Sequence, residues 1–404
     1  MILYRLAITL LALRELMRRG VGRDATGLMA RLGRTHAPDD TPRIWLHAAS
    51  NGEVTSVKPV IDRLLDAGKS VLLTANTATA VAMARAWNVE NLDAHLAPVD
   101  LPAPTRRVFA QWHVTAHIAV ESELWPYRIL TCPGPVLVLG ARLTERSAKG
   151  WRRFETLAHR VVGKIDYLTA QDAGSLKRLS AFGLQARAKG PVFDLKALYT
   201  PPKDAPDSLL RAAFPRQATW LAASTHDGED ATVLKAHQLA LETRPDLKLI
   251  LAPRHPGRAD AIADLITEHG LTVARRSRGD APTSADVYLA DTMGEMHLWY
   301  ALAGVTFVAG SLTDRGGHTP YEPAFFGSAI LHGPDTANFK AAYGRLHTSD
   351  AAVCVTDAAT LAAALNTLAD PDTLQAAGLA AKTALQQNID IDGLMRDVIA
   401  ALDA

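Results

Sequence analysis

Two glutamates stand two residues apart in Glu121-Ser-Glu123-Leu-Trp-Pro126, directly after an apolar run at 118–120. Carboxylates so placed at a strand end can position or polarise a substrate hydroxyl, although the same composition suits an ordinary turn before proline. Three other segments share a helix-start pattern: Ser50-x-x-Glu53, Thr292-x-x-Glu295 and Thr319-x-x-Glu322. This is the capping box, in which the Ser or Thr side chain and the Glu side chain each bond the other's backbone N–H. A capping glutamate needs no further task. The settings, however, are richer than plain caps: His47 precedes the first, Met293-Gly294 lies inside the second, and Gly316-Gly317-His318 leads into the third. In the third, Thr319 is the expected N-cap, Pro320 fits N1 and Glu322 fits N3. An apolar run at 305–309 comes before it, so strand, Gly-rich turn and helix N-terminus together predict an anion site. Gly316 and Gly317 are expected to let the backbone approach that ligand closely.

Two more loops carry polar groups after apolar runs, Ser224-Thr225-His226-Asp227-Gly228-Glu229 and Pro253-Arg254-His255-Pro256. Arg254 cannot be deprotonated and is suited to gripping phosphate. Each histidine alone is more often structural, but their recurrence at loop after loop points to a nucleotide phosphate held in the second half of the chain. In the first half, Arg142, Arg146 and Lys149 either line a solvated helix face or form a basic lip for acceptor phosphates. No Asp-x-Asp stands at a strand end and no Cys/His cluster exists, so no metal ligand set is assigned. Asp390-Ile-Asp392 lies in the tail and reads as solvated surface.

These residues need strands to hold them. Apolar runs at 44–48, 71–74, 117–120, 136–139 and 167–170 alternate with helical patterns, and a second series follows at 220–223, 249–252, 287–289, 305–309 and 330–331. Strand–helix alternation predicts parallel sheets covered on both faces. A chain of 404 residues with 48% hydrophobic content suits two such domains. The Pro-rich stretch 199–206 is the expected linker. The expected division is 1–30 N-terminal helix, 31–198 first domain, 207–385 second domain and 386–404 C-terminal helix. A net charge of +1 gives no nucleic-acid signature. The two cysteines, Cys132 and Cys354, lie far apart in apolar runs and read as buried thiols in a reducing compartment.

The charge is uneven at the start, where Arg5, Arg14, Arg18, Arg19, Arg23, Arg31 and Arg34 face only Glu15 and Asp24. The apolar run 6–13 is far short of the ~20 residues a spanning helix needs. No small-residue cleavage site follows it, which argues against a signal peptide. An apolar face followed by arginines suits a helix lying on an anionic membrane surface. The plainer alternative is a first helix packed on the body.

The segments HAASNGEV, ESELWPY, GARLTERSAKG, ASTHDGED, APRHPGR, DTMGEM and GSLTDRGGHTPYEPA, in this order, resemble the 3-deoxy-D-manno-octulosonic acid (Kdo) transferases. The matches run from about residue 44 to 340. The resemblance implies an α/β GT-B fold, two Rossmann-like doubly wound domains facing across a cleft. It implies inverting, metal-independent transfer of Kdo from CMP-Kdo to a lipid A precursor in lipopolysaccharide biosynthesis, on the cytoplasmic side of the inner membrane, with no cofactor. The family's catalytic base falls on Glu53. A glutamate that assists the transition state falls on Glu121 or Glu123. Donor contacts fall on Pro253, Arg254, Met293, Gly294, Glu295, Thr319, Pro320, Tyr321 and Glu322, beside His318. Arg142, Arg146 and Lys149 are the candidate acceptor contacts.

The sequence also departs from the pattern. Asn51 replaces the valine before Gly-Glu, and Thr319 and Tyr321 replace the usual Asn and Leu. The family's G-N-L-K-F-D becomes Gly190-Pro-Val-Phe-Asp194, one residue shorter and without its lysine. Lys189 and Lys196 lie nearby, neither at the matching position. Two further readings are therefore kept: a GT-B transferase using another nucleotide sugar, and a catalytically silent member that binds lipid.

Overall fold

Short apolar runs separated by turns give all-parallel sheets here, because the helices between them cover both faces. The computed structural model describes residues 4, 8–10, 12–14, 17, 24–201, 204–283, 285–386 and 389–404. The chain divides into two units, Met1–Tyr199 with Gln387–Ala404, and Thr200–Gln386.

Unit 1 holds β1 (Arg43–His47), β2 (Ser70–Ala75), β3 (Leu92–Leu96), β4 (Val114–Val120), β5 (Val136–Ala141), β6 (Tyr167–Ala170) and β7 (Lys189–Val192). They form one sheet in the order β3-β2-β1-β4-β5-β6-β7. Side chains alternate along each strand. Ile118 and Val120 of β4 enter one layer with Leu46, Val57, Ile61 and Leu73. Ala119 enters the other with Val138, Val161 and Leu168. The C-terminal helix Ile391–Leu402 returns to this unit and buries Leu394, Met395 and Val398 in the first layer. Asp390 caps that helix, so the tail's acidic pair is exposed and structural.

Unit 2 holds β8 (Thr219–Thr225), β9 (Lys248–Pro253), β10 (Val273–Arg275), β11 (Val287–Leu289), β12 (Val305–Val308), β13 (Ala329–His332) and β14 (Ala352–Cys354), in the order β10-β11-β9-β8-β12-β13-β14. Trp220, Ala222, Leu249 and Phe307 pack on one face. Leu221, Ala223, Ile250 and Ala252 pack on the other.

In unit 1 the strand order reverses between β1 and β4; in unit 2 it reverses between β8 and β12, and β11 is inserted between β9 and β10. Open α/β sheets bind ligands at such switch points, beyond the carboxyl ends of the strands. A non-glycine residue adopts positive φ at each: Glu121 (φ 53°) just after β4 and Ser224 (φ 61°) near the end of β8. Such conformations cost roughly 1–3 kcal/mol and persist where their surroundings over-determine them.

The expectation of two buried thiols holds for Cys132 only. Cys354 lies on the edge strand β14 and is exposed, because an edge strand has no neighbour to cover it. Much of the basic N-terminal segment, including Arg5, Arg18, Arg19 and Arg23, lies outside the described residues. Of those described there, Ile8 and Ala12 are buried while Leu10, Leu13 and Met17 are exposed. Among the described residues no helix is long and apolar enough to cross a membrane.

Candidate functional site

The switch point of unit 1 gathers Glu53, Glu121 and Lys196. Ser50 caps helix Asn51–Asp66 and accepts from the Glu53 N–H at 3.4 Å. The Glu53 carboxylate turns back to accept the Ala49 N–H at 2.8 Å, a near variant of the expected capping box. Burial, reinforced by Glu121 and Glu123, pushes the Glu53 carboxyl up to about 7, against the opposing pull of the Ala49 N–H and Lys196. A carboxyl so poised can exchange a proton near neutral pH.

Lys196 is bound to the Glu121 carboxylate, and both side chains are largely buried. Lys196 sits in the 3₁₀ turn Leu195–Leu198, which Asp194 caps by accepting the Lys196 N–H at 3.0 Å. That turn is seated on Gly140, where a Cβ would stand 2.7 Å from Leu195 Cδ1. Burial alone favours the neutral amine, but Glu121, Asp194 and Glu53 outweigh it and hold Lys196 charged. The sequence left Lys196 off the family position because the preceding segment is one residue short. Folding carries it to Glu121 from two residues further along.

Glu123 has a different environment. Its Oε2 accepts from His47 Nε2 at 2.9 Å, from Trp125 Nε1 at 2.5 Å and from Asn76 Nδ2 at 3.4 Å. Burial pushes this carboxyl up, but the His47 and Trp125 hydrogen bonds and the charge of Arg128 outweigh it and hold it at about 2. His47, wholly buried and near Arg128, is lowered to about 4 and stays neutral. His47 Nδ1 lies 2.9 Å from the Thr74 carbonyl and 3.0 Å from its hydroxyl. Glu123 is thus an ionised anchor, and Glu121 is the carboxylate beside Glu53. Arg142, half-buried, donates its backbone N–H to the Glu121 carbonyl at 3.2 Å, and Arg146 and Lys149 are exposed on helix Glu145–Arg152.

In unit 2 the switch point joins the loops after β8 and β12. The buried Glu229 carboxylate accepts N–H groups from His226 (3.0 Å), Gly310 (2.8 Å), Ser311 (3.0 Å) and Leu312 (3.0 Å). It therefore locks the two loops together. Above it, His226 and His318 meet Nε2 to Nε2 at 2.9 Å, with ring planes 8° apart. Arg254 and His255 are exposed at the end of β9, and the His255 ring lies 6.0 Å from that of His226. Pro253, the last residue of β9, is buried.

Two expectations on these loops fail. Thr319 does not cap a helix: the helix is the single turn Tyr321–Phe325, with Pro320 at the N-cap and no side-chain cap. Five residues carry little dipole, so this helix is a weak anion site. Thr292 and Glu295 form no capping box either; helix Met296–Leu302 begins at Glu295, whose carboxylate is taken by Arg276 at 2.7 Å and by the Thr292 hydroxyl. Gly316 and Gly317 are required by packing, since Cβ atoms there would meet Asn338 Nδ2 at 2.5 Å and the Asp335 carbonyl at 2.8 Å.

The remaining donor candidates divide by accessibility. Tyr321 is buried, with its hydroxyl on Arg345, and Pro320 is buried, so neither side chain is open to a ligand. Thr319 is half-buried; its hydroxyl accepts the Tyr321 N–H at 3.4 Å. Met293 is 59% exposed, next to Gly294 at φ 89°. Burial pushes the Glu322 carboxyl up to about 7, and no hydrogen-bond partner for it occurs among the described residues.

A family model described as 3-deoxy-D-manno-octulosonic-acid transferase (kdotransferase) matches residues 26–197. The chain is 32% identical over 309 residues to the 3-deoxy-D-manno-octulosonic acid transferase of Haemophilus influenzae, covering 73% of this chain and 71% of that one. To the enzyme of the same name from Bordetella pertussis it is 33% identical over 382 residues, 87% of this chain and 86% of that one. In fold it matches a glycosyltransferase from Rickettsia africae at a TM-score of 0.59, with 10% identity over 90% of this chain and 98% of that one. That likeness is of architecture, the two Rossmann-like units of GT-B glycosyltransferases.

Proposed function

Since the chain belongs to the 3-deoxy-D-manno-octulosonic acid transferase family, we propose that it transfers Kdo from CMP-Kdo to a hydroxyl of a lipid A precursor, with inversion. The observation that carries this reading is the Glu53, Glu121 and Lys196 group at the switch point of unit 1. Glu53 removes the proton from the acceptor hydroxyl. The hydroxyl oxygen attacks the anomeric carbon as the bond from that carbon to the phosphate oxygen breaks, and the electron pair leaves with CMP. A base with a pKa near the working pH suits this transfer. Glu121, ion-paired with Lys196, faces the positive charge that develops on the sugar. Lys196 thereby supplies the cation that the shortened 190–194 segment lacks.

Unit 2 takes the donor. Arg254 and His318 meet the phosphate, while Pro253, the Met293-Gly294 turn, Glu295 and the 319–322 turn line the nucleoside. Glu322, whose carboxyl is raised to about 7 by burial, can donate to a donor oxygen in its protonated form. Arg142, Arg146 and Lys149 receive acceptor phosphates. Leu10, Leu13 and Met17 rest on the anionic cytoplasmic face of the inner membrane, where a lipid acceptor resides.

The test is incubation of the full chain with CMP-Kdo and lipid A precursor, followed by mass spectrometry of the lipid. Addition of Kdo mass is expected. No addition, with CMP still bound, would instead favour a silent binding protein, and addition from another nucleotide sugar would change the donor.

A further inference from the structure

The histidine pair of unit 2 has a chemistry that the nucleotide reading does not use. Two imidazoles joined Nε2 to Nε2 at 2.9 Å share one hydrogen bond, so one ring donates and the other accepts. When both rings are neutral, the accepting ring carries its proton on Nδ1 and the donating ring has a bare lone pair there. The two Nδ1 atoms lie at opposite ends of this nearly coplanar pair, so an anion beside the pair meets a donor at one end and a repelling lone pair at the other. Adding one proton to the pair removes that conflict.

The surroundings favour an anion. Arg254 and His255 approach from the β9 loop and Arg315 from the β12 loop. Among the described residues neither Arg254 nor Arg315 has a side-chain partner. The acidic groups nearby are Glu229, Asp227, Asp230 and Asp314. Glu229 is consumed by four backbone N–H groups. Asp227 and Asp230 pair with Arg258, and Asp314 is exposed. Without a ligand both rings are neutral: burial, then His226, Arg254 and His255, lower His318 to about 4. Burial, then Arg315, His255 and Arg254, lower His226 against the pull of Glu229.

We propose that His226 and His318, with Arg254, His255 and Arg315, form a site for a phosphate monoester dianion that takes up a proton as the anion binds. The identity of the anion as the leaving CMP rests on the transferase reading; the proton-coupled site itself does not. In the donor the phosphodiester carries one charge. As its bond to the sugar carbon breaks, the electron pair stays on the phosphate oxygen and a second charge appears. The proton taken up from solvent by the pair offsets that charge.

Calorimetry on the full chain in two buffers of different ionisation heat tests this between pH 7 and 8.5, above the second pKa of about 6 of the CMP phosphate; inorganic phosphate, whose own second ionisation falls inside this window, is compared at the alkaline end only. The probes are CMP, inorganic phosphate and cytidine. We expect uptake of roughly half a proton or more with CMP, so its Kd rises about threefold per pH unit. Cytidine binding should show no such slope. His226→Gln and His318→Gln keep a donor and acceptor near the Nε2 position but cannot titrate, and each should flatten the slope. The two-buffer measurement on the wild type decides the matter even if a variant fails to fold. CMP bound with no proton uptake overturns the proposal and leaves the donor reading intact. Phosphate bound with a proton, but no CMP binding, overturns the donor reading and keeps the site. Neither bound sinks both.

Discussion

Lys196 is bound to Glu121 across 75 residues of sequence, which places a buried cation beside the candidate base Glu53. Removing that cation leaves Glu121 buried and unpaired and takes away an influence that lowers the Glu53 pKa. Lys196→Ala should therefore lose roughly 10²–10³-fold in kcat, as when one preorganised charge-stabilising group is removed. The acid limb of its kcat/KM profile should also move to higher pH. Lys196→Arg keeps the charge and should recover part of the rate. An alanine variant with normal kcat and an unmoved profile would leave Lys196 a structural tie.

Glu229 is predicted to govern unit 2. Its carboxylate accepts four backbone N–H groups from two loops, and a glutamine can offer only one oxygen to them. Glu229→Gln should cost about 1–3 kcal/mol of stability by leaving buried donors unpaired. It should also weaken CMP binding by loosening the His226–His318 contact. A thermal melt and a CMP titration on the same protein check both halves. Unchanged melting would show that the loops hold without this carboxylate.

Which parts of this arrangement the sequence revealed follows from burial. The inner strands were legible as apolar runs because both their faces are covered. The strands that escaped notice, β3, β7, β10 and β14, are the edges of the two sheets. β7 (KGPV) and β14 are largely exposed and carry no apolar signature. Glu53, Arg254 and His318 stood out by motif and loop position. Lys196 did not, since its partner Glu121 lies 75 residues away in sequence and only folding brings the two together. The capping pattern misled at Glu295 because Arg276, which competes for the carboxylate, comes from another loop. The His226–His318 pairing depends on β8 and β12 being neighbours, which is a property of strand order.

The N-terminal helix is predicted to seat on a membrane through residues that the fold does not need. Leu10 and Met17 are 69% and 63% exposed, while Ile8 and Ala12 are buried. Leu10→Glu with Met17→Glu should leave melting and CMP binding unchanged. Partition onto vesicles containing phosphatidylglycerol should fall by about tenfold or more, given ~25 cal/mol per Å² of apolar surface withdrawn from water. Unchanged sedimentation with the vesicles would exclude this face as the anchor.

Glu53 distinguishes a helix cap from a base. Glutamine at position 53 can still accept the Ala49 N–H through its side-chain oxygen, so the helix start should persist. It cannot take a proton at neutral pH. Turnover should fall by at least ~100-fold with CMP binding retained. The wild-type rate should decline as pH drops below about 7, where the Glu53 carboxylate becomes protonated. Stability runs the other way. The folded pKa lies above the unfolded value near 4.3, so the contribution of Glu53 is fully present below that value and is lost as pH rises through about 7. Glu53→Gln removes this titration. Its melting temperature should match or exceed that of the wild type at pH 8, and the difference should shrink toward pH 5. A variant that melts early and still turns over normally would make Glu53 a cap and nothing more.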